Sequence, residues 1–449
     1  MGSSVRELAE KTPAGRDRYV DLLRVASLGT VVVGHWLMAA VTVGDDGRAE
    51  VGNLLAVVPE LQLLTWALQI MPVFFFVGGF SHALSYRSLS RRSEGRSVYS
   101  VFVRARLQRL LRPTMVFIAV WGAAALALQL GGHGGGLLDV ALRLVAQPLW
   151  FIGVYLAMVA FTPPLLRLHE RWGWGAFGAL VAAAGAVDVA RFAFGVPYLE
   201  FLNFAFVWLA VHQLGFLRAD GRLRVRAPYV LAGAGLAGAS LLVAFGPYPL
   251  SMVGMPGERV SNMAPPTFAL LCHGMWLVGA VELLRGPATR WLARPRVWRG
   301  VVAANGVSMT AFLWHLTAML GVYGMLLALG VPLPEPASAA WWAQVPLRMA
   351  AAAALTVALV ALFRRFERPG AAGPAAPGTA SGPAAALGVT LCLFGVLGLS
   401  MVGFGGLLEG RTAMLVAVQV TAPAAVGMAL VGWLLVERAG GRVRARRWR

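Results

Sequence analysis

Residues 18–36 read RYVDLLRVASLGTVVVGHW, an apolar run with an arginine, Arg24, near its start and a lone histidine, His35, eleven positions later. In a helix that step covers roughly 16 Å and returns to nearly the same face. One face would then carry a cation near one membrane boundary and an imidazole well inside the bilayer. Ionisable groups at such depth are costly, so they are read first as functional. Asp21, three positions before Arg24, is spaced to pair with it and orient the guanidinium.

The rest of the chain requires a membrane. Of 449 residues, 58% are hydrophobic and only 13% charged, too few charges for a water-soluble protein of this length. Apolar stretches of about 20 residues, each able to cross a ~30 Å hydrocarbon core, recur near 20–41, 62–86, 113–131, 145–166, 175–192, 199–217, 228–246, 264–284, 303–330, 343–363, 386–408 and 412–436. The expected fold is an all-α polytopic transmembrane bundle of about twelve spans. A cytoplasmic segment at 1–17 leads into a core at 18–365. The Pro/Gly/Ala-rich stretch FERPGAAGPAAPGTASGPAA at 366–385 reads as a flexible linker, followed by an appended helix pair at 386–436 and a basic tail at 437–449.

A net charge of +19 would suit nucleic acid, but its distribution argues for lipid instead. With a cytoplasmic N-terminus, alternate loops receive most of the arginines, as the positive-inside rule requires. Both termini are then cytoplasmic, in a multi-pass protein of the cell membrane. The bilayer is its first partner, and no nucleic acid is expected. The first span is too long, and too directly preceded by polar sequence, for a cleaved signal peptide. Cys272 and Cys392 fall within spans and imply neither a disulfide nor a zinc site; no metal is expected.

From the residues alone, Arg24 and His35 admit two readings. A partly desolvated neutral imidazole suits a general base that takes a proton from a hydroxyl. The pair could equally be structural, with His35 bonded to a neighbouring helix and Arg24 reaching the headgroups. A second cluster, SVFVRARLQRLLRP, places Arg106, Arg109 and Arg112 on successive turns. Such a row matches phosphate oxygens, but it also suits an interfacial helix on anionic lipid. His315 in SMTAFLWHL, and His212 with Gln213 in FVWLAVHQLGF, read as satisfied packing residues. His273 and Glu282 need buried partners, and Asp188 can pair with Arg191 at i, i+3. SNMAPPT at 261–267 reads as an ordered entry to span eight, with prolines in its first turn. Loops at 42–60, 247–263 and 331–342 are long enough to cover a substrate entrance.

Other signals fail. HGGG at 133–136 has the form of an esterase oxyanion loop but lacks a G-x-S-x-G partner, and with Lys11 the only lysine there is no phosphate-binding P-loop.

Several segments in order resemble acyltransferase family 3. RYVDLLRVASLGTVVVGHW resembles its first helix, with ten residues between Arg and His. PVFFFVGGF at 72–80 resembles its second-helix motif, except that Gly78 stands where the family usually has Ser; Ser81 is close by. The Arg row ending in Pro113, PLWFIGVYLAMVAFTPPLL and SMTAFLWHL resemble its later elements. The match covers roughly residues 15–365, and the last two helices lie outside it. The resemblance implies transfer of an acyl group, often acetyl, from cytoplasmic acyl-CoA to a hydroxylated acceptor: a cell-envelope sugar, a lipid-linked glycan or a small molecule. It implies His35 as catalytic base, Arg24 as part of the donor site, and Arg106, Arg109 and Arg112 as ligands for CoA phosphates. The rival reading is a twelve-helix transporter or flippase, which typically carries an internal repeat of broken helices. No such repeat is evident between the halves.

Overall fold

The computed structural model describes residues 5–13, 15–43, 49–92, 97–132, 136–255, 257–367, 381–416 and 418–439. It is 78% helical. Among the described residues, eleven helices are long and apolar enough to cross a bilayer. There are twelve if Phe268–Leu283 and Arg285–Leu292, bent by 51° at the break, count as one span. The chain is thus the all-α polytopic bundle that its composition calls for. In order, the helices are α1 (Arg18–Met38), α2 (Met71–Ser90), α3 (Val98–Leu130), α4 (Pro148–Trp172), α5 (Trp174–Phe194), α6 (Asn203–Ala219), α7 (Ala227–Phe245), α8 (Phe268–Leu283), α9 (Ser308–Ala328), α10 (Ala339–Phe363), α11 (Gly382–Val402) and α12 (Ala422–Ala439).

Local chemistry sets the helix ends. Asp17 caps α1, its side chain accepting from the backbone N–H groups of Tyr19 and Val20. The helix stops at Met38, short of the expected 41, because AAVTV that follows is rich in β-branched residues. It forms strand β1 (Ala39–Val43), antiparallel to β2 (Ala49–Asn53). The last expected span, 412–436, is likewise corrected. Strand β3 (Thr412–Leu415) pairs antiparallel with β4 (Val418–Thr421), and α12 begins only at Ala422, with Pro423 in its first turn. At the entry to α8 the cap is Thr267, so Pro265 and Pro266 precede the helix rather than open it. Asn262 orders that turn, donating to the carbonyls of Pro249 and Ser251 and accepting from the Thr267 hydroxyl. The basic row and span three form one 33-residue helix, α3. At 1.5 Å per residue it is roughly 50 Å long and exceeds a ~30 Å core. The first three residues of the HGGG run (133–135), most of the linker (368–380) and most of the basic tail (440–449) lie outside the described residues.

The chain divides into two compact units, residues 1–81 with 164–355 and residues 82–163 with 356–449. In the first, α1 lies against α9. Ala39, Val41, Leu316, Met319 and Tyr323 form a buried cluster beneath the β1–β2 pair. Helix α6 is enclosed from Val207 to Arg218. In the second, α11 and α12 pack through small residues, Gly395 against Ala425 and Ala429, and Gly432 against Cys392. Glu437 ties α12 to α3, accepting from Arg104 at 3.3 Å and Gln108 at 3.0 Å.

The second glycine of FFFVGGF, Gly79, has a steric reason in the first unit. A Cβ on Gly79 would sit 1.9 Å from the His212 carbonyl oxygen, and one on Gly215 would sit 2.3 Å from that of Phe76. Backbones approach so closely only where no side chain intervenes. Gly79→Ala is therefore expected to destabilise the protein by about 1–3 kcal/mol through overpacking. Gly178→Ala on α5, where nothing lies within 4 Å, is the control. Detergent-solubilised unfolding midpoints check this; equal midpoints for Gly79→Ala and wild type would remove the close contact.

Candidate functional site

The first turn of α1 gathers two ion clusters, both within the first unit. In one, the buried Asp21 carboxylate accepts from Arg16 Nε at 2.6 Å, from Arg16 Nη2 at 3.0 Å, and from Arg24 Nη1 and Asn305 Nδ2 at 3.2 Å each. The second arm of Arg24 donates to Ser81 Oγ at 3.1 Å. Asp21 and Ser81 together fix the guanidinium plane and leave the remaining N–H groups of Arg24 for other acceptors. The i, i+3 pairing with Asp21 is as expected, and Ser81 takes up an arm of Arg24 one turn from Gly78.

In the other cluster, Arg218 of α6 is buried between two carboxylates. Its Nη2 donates to Asp17 at 2.7 Å and its Nη1 to Glu282 of α8. The aromatic faces of Tyr19, Phe76 and Phe80 surround the cation, with ring centres 5.2–5.9 Å away. Arg285 lies 3.7 Å from Asp17. Tyr19 donates its hydroxyl to the Val281 carbonyl. Burial alone would raise the Asp17 pKa, but Arg218 and the Val20 N–H outweigh it and hold the carboxyl below the ordinary range.

Deeper along α1, His35 meets His315 of α9. His35 Nδ1 lies 2.7 Å from His315 Nε2, and the two rings face each other edge to edge, 5.0 Å between centroids and 11° between planes. His315 Nδ1 is bonded to the Phe312 carbonyl. A carbonyl only accepts, so His315 Nδ1 carries its hydrogen and, in a neutral ring, Nε2 is an acceptor. His35 Nδ1 is then the donor, and its Nε2 keeps a free lone pair. Trp36, the next residue, donates its indole N–H to the His315 carbonyl at 3.0 Å. His315, which read from sequence as a packing residue, is the partner of His35. Nothing local linked two histidines 280 positions apart, and His82, His212 and His273 also fall within apolar spans; the one signal for His315 was its place in SMTAFLWHL.

Helix α1 is continuous from Arg24 to His35, so the ~16 Å between them persists. The row Arg106, Arg109 and Arg112 lies on one face of α3 in the second unit, with Arg109 exposed and the other two half-buried. The remaining candidates are structural. Gln213 donates to the Gly173 carbonyl and contacts His169, which pairs with Asp220 at 2.9 Å. His212 is fully buried and packs edge-on to Phe216. His273 bonds to the Trp66 carbonyl at 3.0 Å. Asp188 does not turn to Arg191. It accepts instead from Asn203, the Tyr248 hydroxyl and the Phe268 N–H, which arrive from three separate segments.

A family model described as an acyltransferase domain matches residues 17–365. No curated protein and no solved structure matches the chain.

The Arg218 cluster makes stability depend on acid. The Asp17 carboxyl titrates lower when folded than its unfolded value of about 3.9. Its contribution is therefore complete above that value and is lost as pH falls through the folded one. Thermal unfolding between pH 3 and 7 should show Asp17→Asn flattening this acid limb. Arg218→Met, which strands the buried Glu282 carboxylate, should cost about 3–5 kcal/mol at pH 7. An unchanged acid limb in Asp17→Asn would contradict the assignment.

Proposed function

The chain belongs to acyltransferase family 3 and is a multi-pass membrane acyltransferase, and from that premise we propose that it transfers an acyl group, in the first instance acetyl, from cytoplasmic acyl-CoA to a hydroxyl. The acceptor is a cell-envelope sugar, a lipid-linked glycan or a hydroxylated small molecule. The observation that carries this reading is the His35–His315 pair, which leaves His35 Nε2 as an oriented base.

His35 Nε2 takes the proton of the acceptor hydroxyl as that oxygen attacks the thioester carbonyl carbon. The C–S bond breaks, and His35 returns the proton to the departing sulfur, so the ring ends as it began. His315 is a positioning residue. Its Nε2 accepts the His35 Nδ1–H throughout, which fixes the tautomer and steadies the imidazolium formed in passing.

Arg24, held by Asp21 and Ser81, is proposed as a donor-phosphate ligand at the cytoplasmic end of α1. The ~16 Å from there to His35 matches in order of size the extended arm of CoA between pyrophosphate and thioester. The long spacing is then a ruler for the donor. The row Arg106, Arg109 and Arg112 is proposed as a phosphate ligand on the chemistry of its guanidinium forks. Both termini are placed in the cytoplasm by the positive-inside rule.

Labelled acetyl-CoA, supplied with candidate acceptors to membranes at matched expression, tests these roles. His35→Ala should lower kcat by about 10²–10⁴. His315→Gln should lower kcat with little change in KM and alter the pH–rate profile, which a merely structural residue would not do. Full activity in His35→Ala would end this mechanism. Arg24→Gln and Arg109→Gln should instead raise KM for acetyl-CoA, each by about 10- to 150-fold for a lost charge-assisted contact of about 1.5–3 kcal/mol. An unchanged KM would move the donor site elsewhere.

A further inference from the structure

One to two turns beyond His315, the first unit holds a second polar site that the acyl-transfer roles leave unused. A cleft of about 320 Å³, counting its open mouth, is lined by Trp36 of α1, Met319 and Tyr323 of α9, and Trp341 and Arg348 of α10. Its interior is narrow, so a ring edge or a charged substituent enters rather than a whole sugar. Trp36 follows His35 in the chain. Met319 and Tyr323 stand four and eight residues after His315 on the same face of α9, roughly 6 and 12 Å along its axis.

Arg348 is the anomaly. It lies within a membrane span, where an uncompensated cation is costly. Its Nη1 donates to the Tyr323 hydroxyl and its Nη2 to the Trp341 carbonyl, at 3.0 Å each. The guanidinium sits 5.1 Å from the Trp341 ring centre and 5.8 Å from that of Tyr323. Its Nε is buried with no acceptor, and among the described residues no carboxylate pairs with it. In the same unit Arg16, Arg24 and Arg218 each hold a carboxylate within 3.2 Å. The protein has therefore built and oriented a guanidinium, flanked it with an indole and a phenol ring, and left its charge unmatched beside a cleft.

We propose that this cleft is an anion-recognition subsite for the acceptor. Arg348 binds one negative group, a carboxylate or a phosphate, on a hydroxylated acceptor. Trp36 and Trp341 flank the sugar edge that bears it, and the hydroxyl to be acylated lies on the His35 side. This rests on the reading of His35 as the base. It adds a length rule, because Arg348 contacts Tyr323, which lies ~12 Å along α9 from His315. The negative group and the acylated hydroxyl must be separated by a pyranose ring or more. A small 2-hydroxy acid, whose two groups sit on adjacent carbons, does not span the gap.

Binding is read without any acyl donor, by saturation-transfer NMR titration of the purified full chain. The probes are methyl glucuronide, glucose 1-phosphate, dodecyl phosphoryl glucose and neutral methyl glucoside. The anionic sugars should bind at least ten-fold more tightly than methyl glucoside. Arg348→Gln should abolish that preference, and Arg348→Lys should keep most of it. Equal affinity of wild type for charged and neutral probes overturns the proposal, and this comparison stands even if Arg348→Gln does not fold. Unchanged binding of the anionic sugars by a folded Arg348→Gln overturns it as well. If dodecyl phosphoryl glucose outbinds glucose 1-phosphate, and Arg348→Gln loses both, the acceptor is lipid-linked; equal affinities with the same loss mark a soluble acceptor. Arg348-dependent binding without acetylation by acetyl-CoA would sink the transferase role of His35 and leave the subsite standing. Equal acetylation of methyl glucoside and methyl glucuronide would do the reverse.

Discussion

Arg218, buried between Asp17 and Glu282, fastens the start of α1 to α6 and α8. An ion in such surroundings costs several kcal/mol unless it is paired and hydrogen-bonded, so the geometry of the three groups is tightly constrained. Asp17 is at once the cap of α1 and the ligand of Arg218, so the ion pair sets where the helix begins. The polar groups further along α1 depend on that start. Arg24 reaches Asp21 and Ser81 near one end, and His35 reaches His315 deeper in. A rotation of α1 by one residue, about 100°, would break all of these bonds at once.

The same demand for partners gives the histidine pair its direction. The Phe312 carbonyl can only accept, and that fixes the hydrogen on His315, then on His35, and leaves one lone pair at the end of the chain of bonds. Three polar groups on two apolar spans thus specify a tautomer without any charged orienting residue. Arg348 is the contrasting case, oriented by Tyr323 and Trp341 yet left without a counter-charge.

Much of this was legible in the sequence because the signals were local. The length and spacing of apolar runs, the Arg24–His35 step and the Asp21–Arg24 pair all follow from periodicity within one helix. The two strand pairs were not legible, because short apolar β-branched stretches such as AAVTV and VQVT look the same whether they continue a span or leave it. Partners distant in sequence were equally hidden. Asp188 seemed matched to Arg191 one turn away, but Tyr248 and the Phe268 N–H, 60 and 80 positions on, take its oxygens. His315 has the same lesson. Its neighbours in sequence are those of a packing residue, and only the fold of the first unit brings it to His35.

The protonation of His35 tests the central claim most directly. With histidine ¹⁵N-labelled in lipid bilayers, and His35→Gln and His315→Gln used to assign the signals, solid-state NMR at neutral pH reports which ring nitrogen carries hydrogen. A neutral His35 is expected to carry its hydrogen on Nδ1, bonded to His315, with a bare Nε2. A hydrogen on His35 Nε2, or a His35 Nδ1 with no coupling to His315, would contradict this assignment.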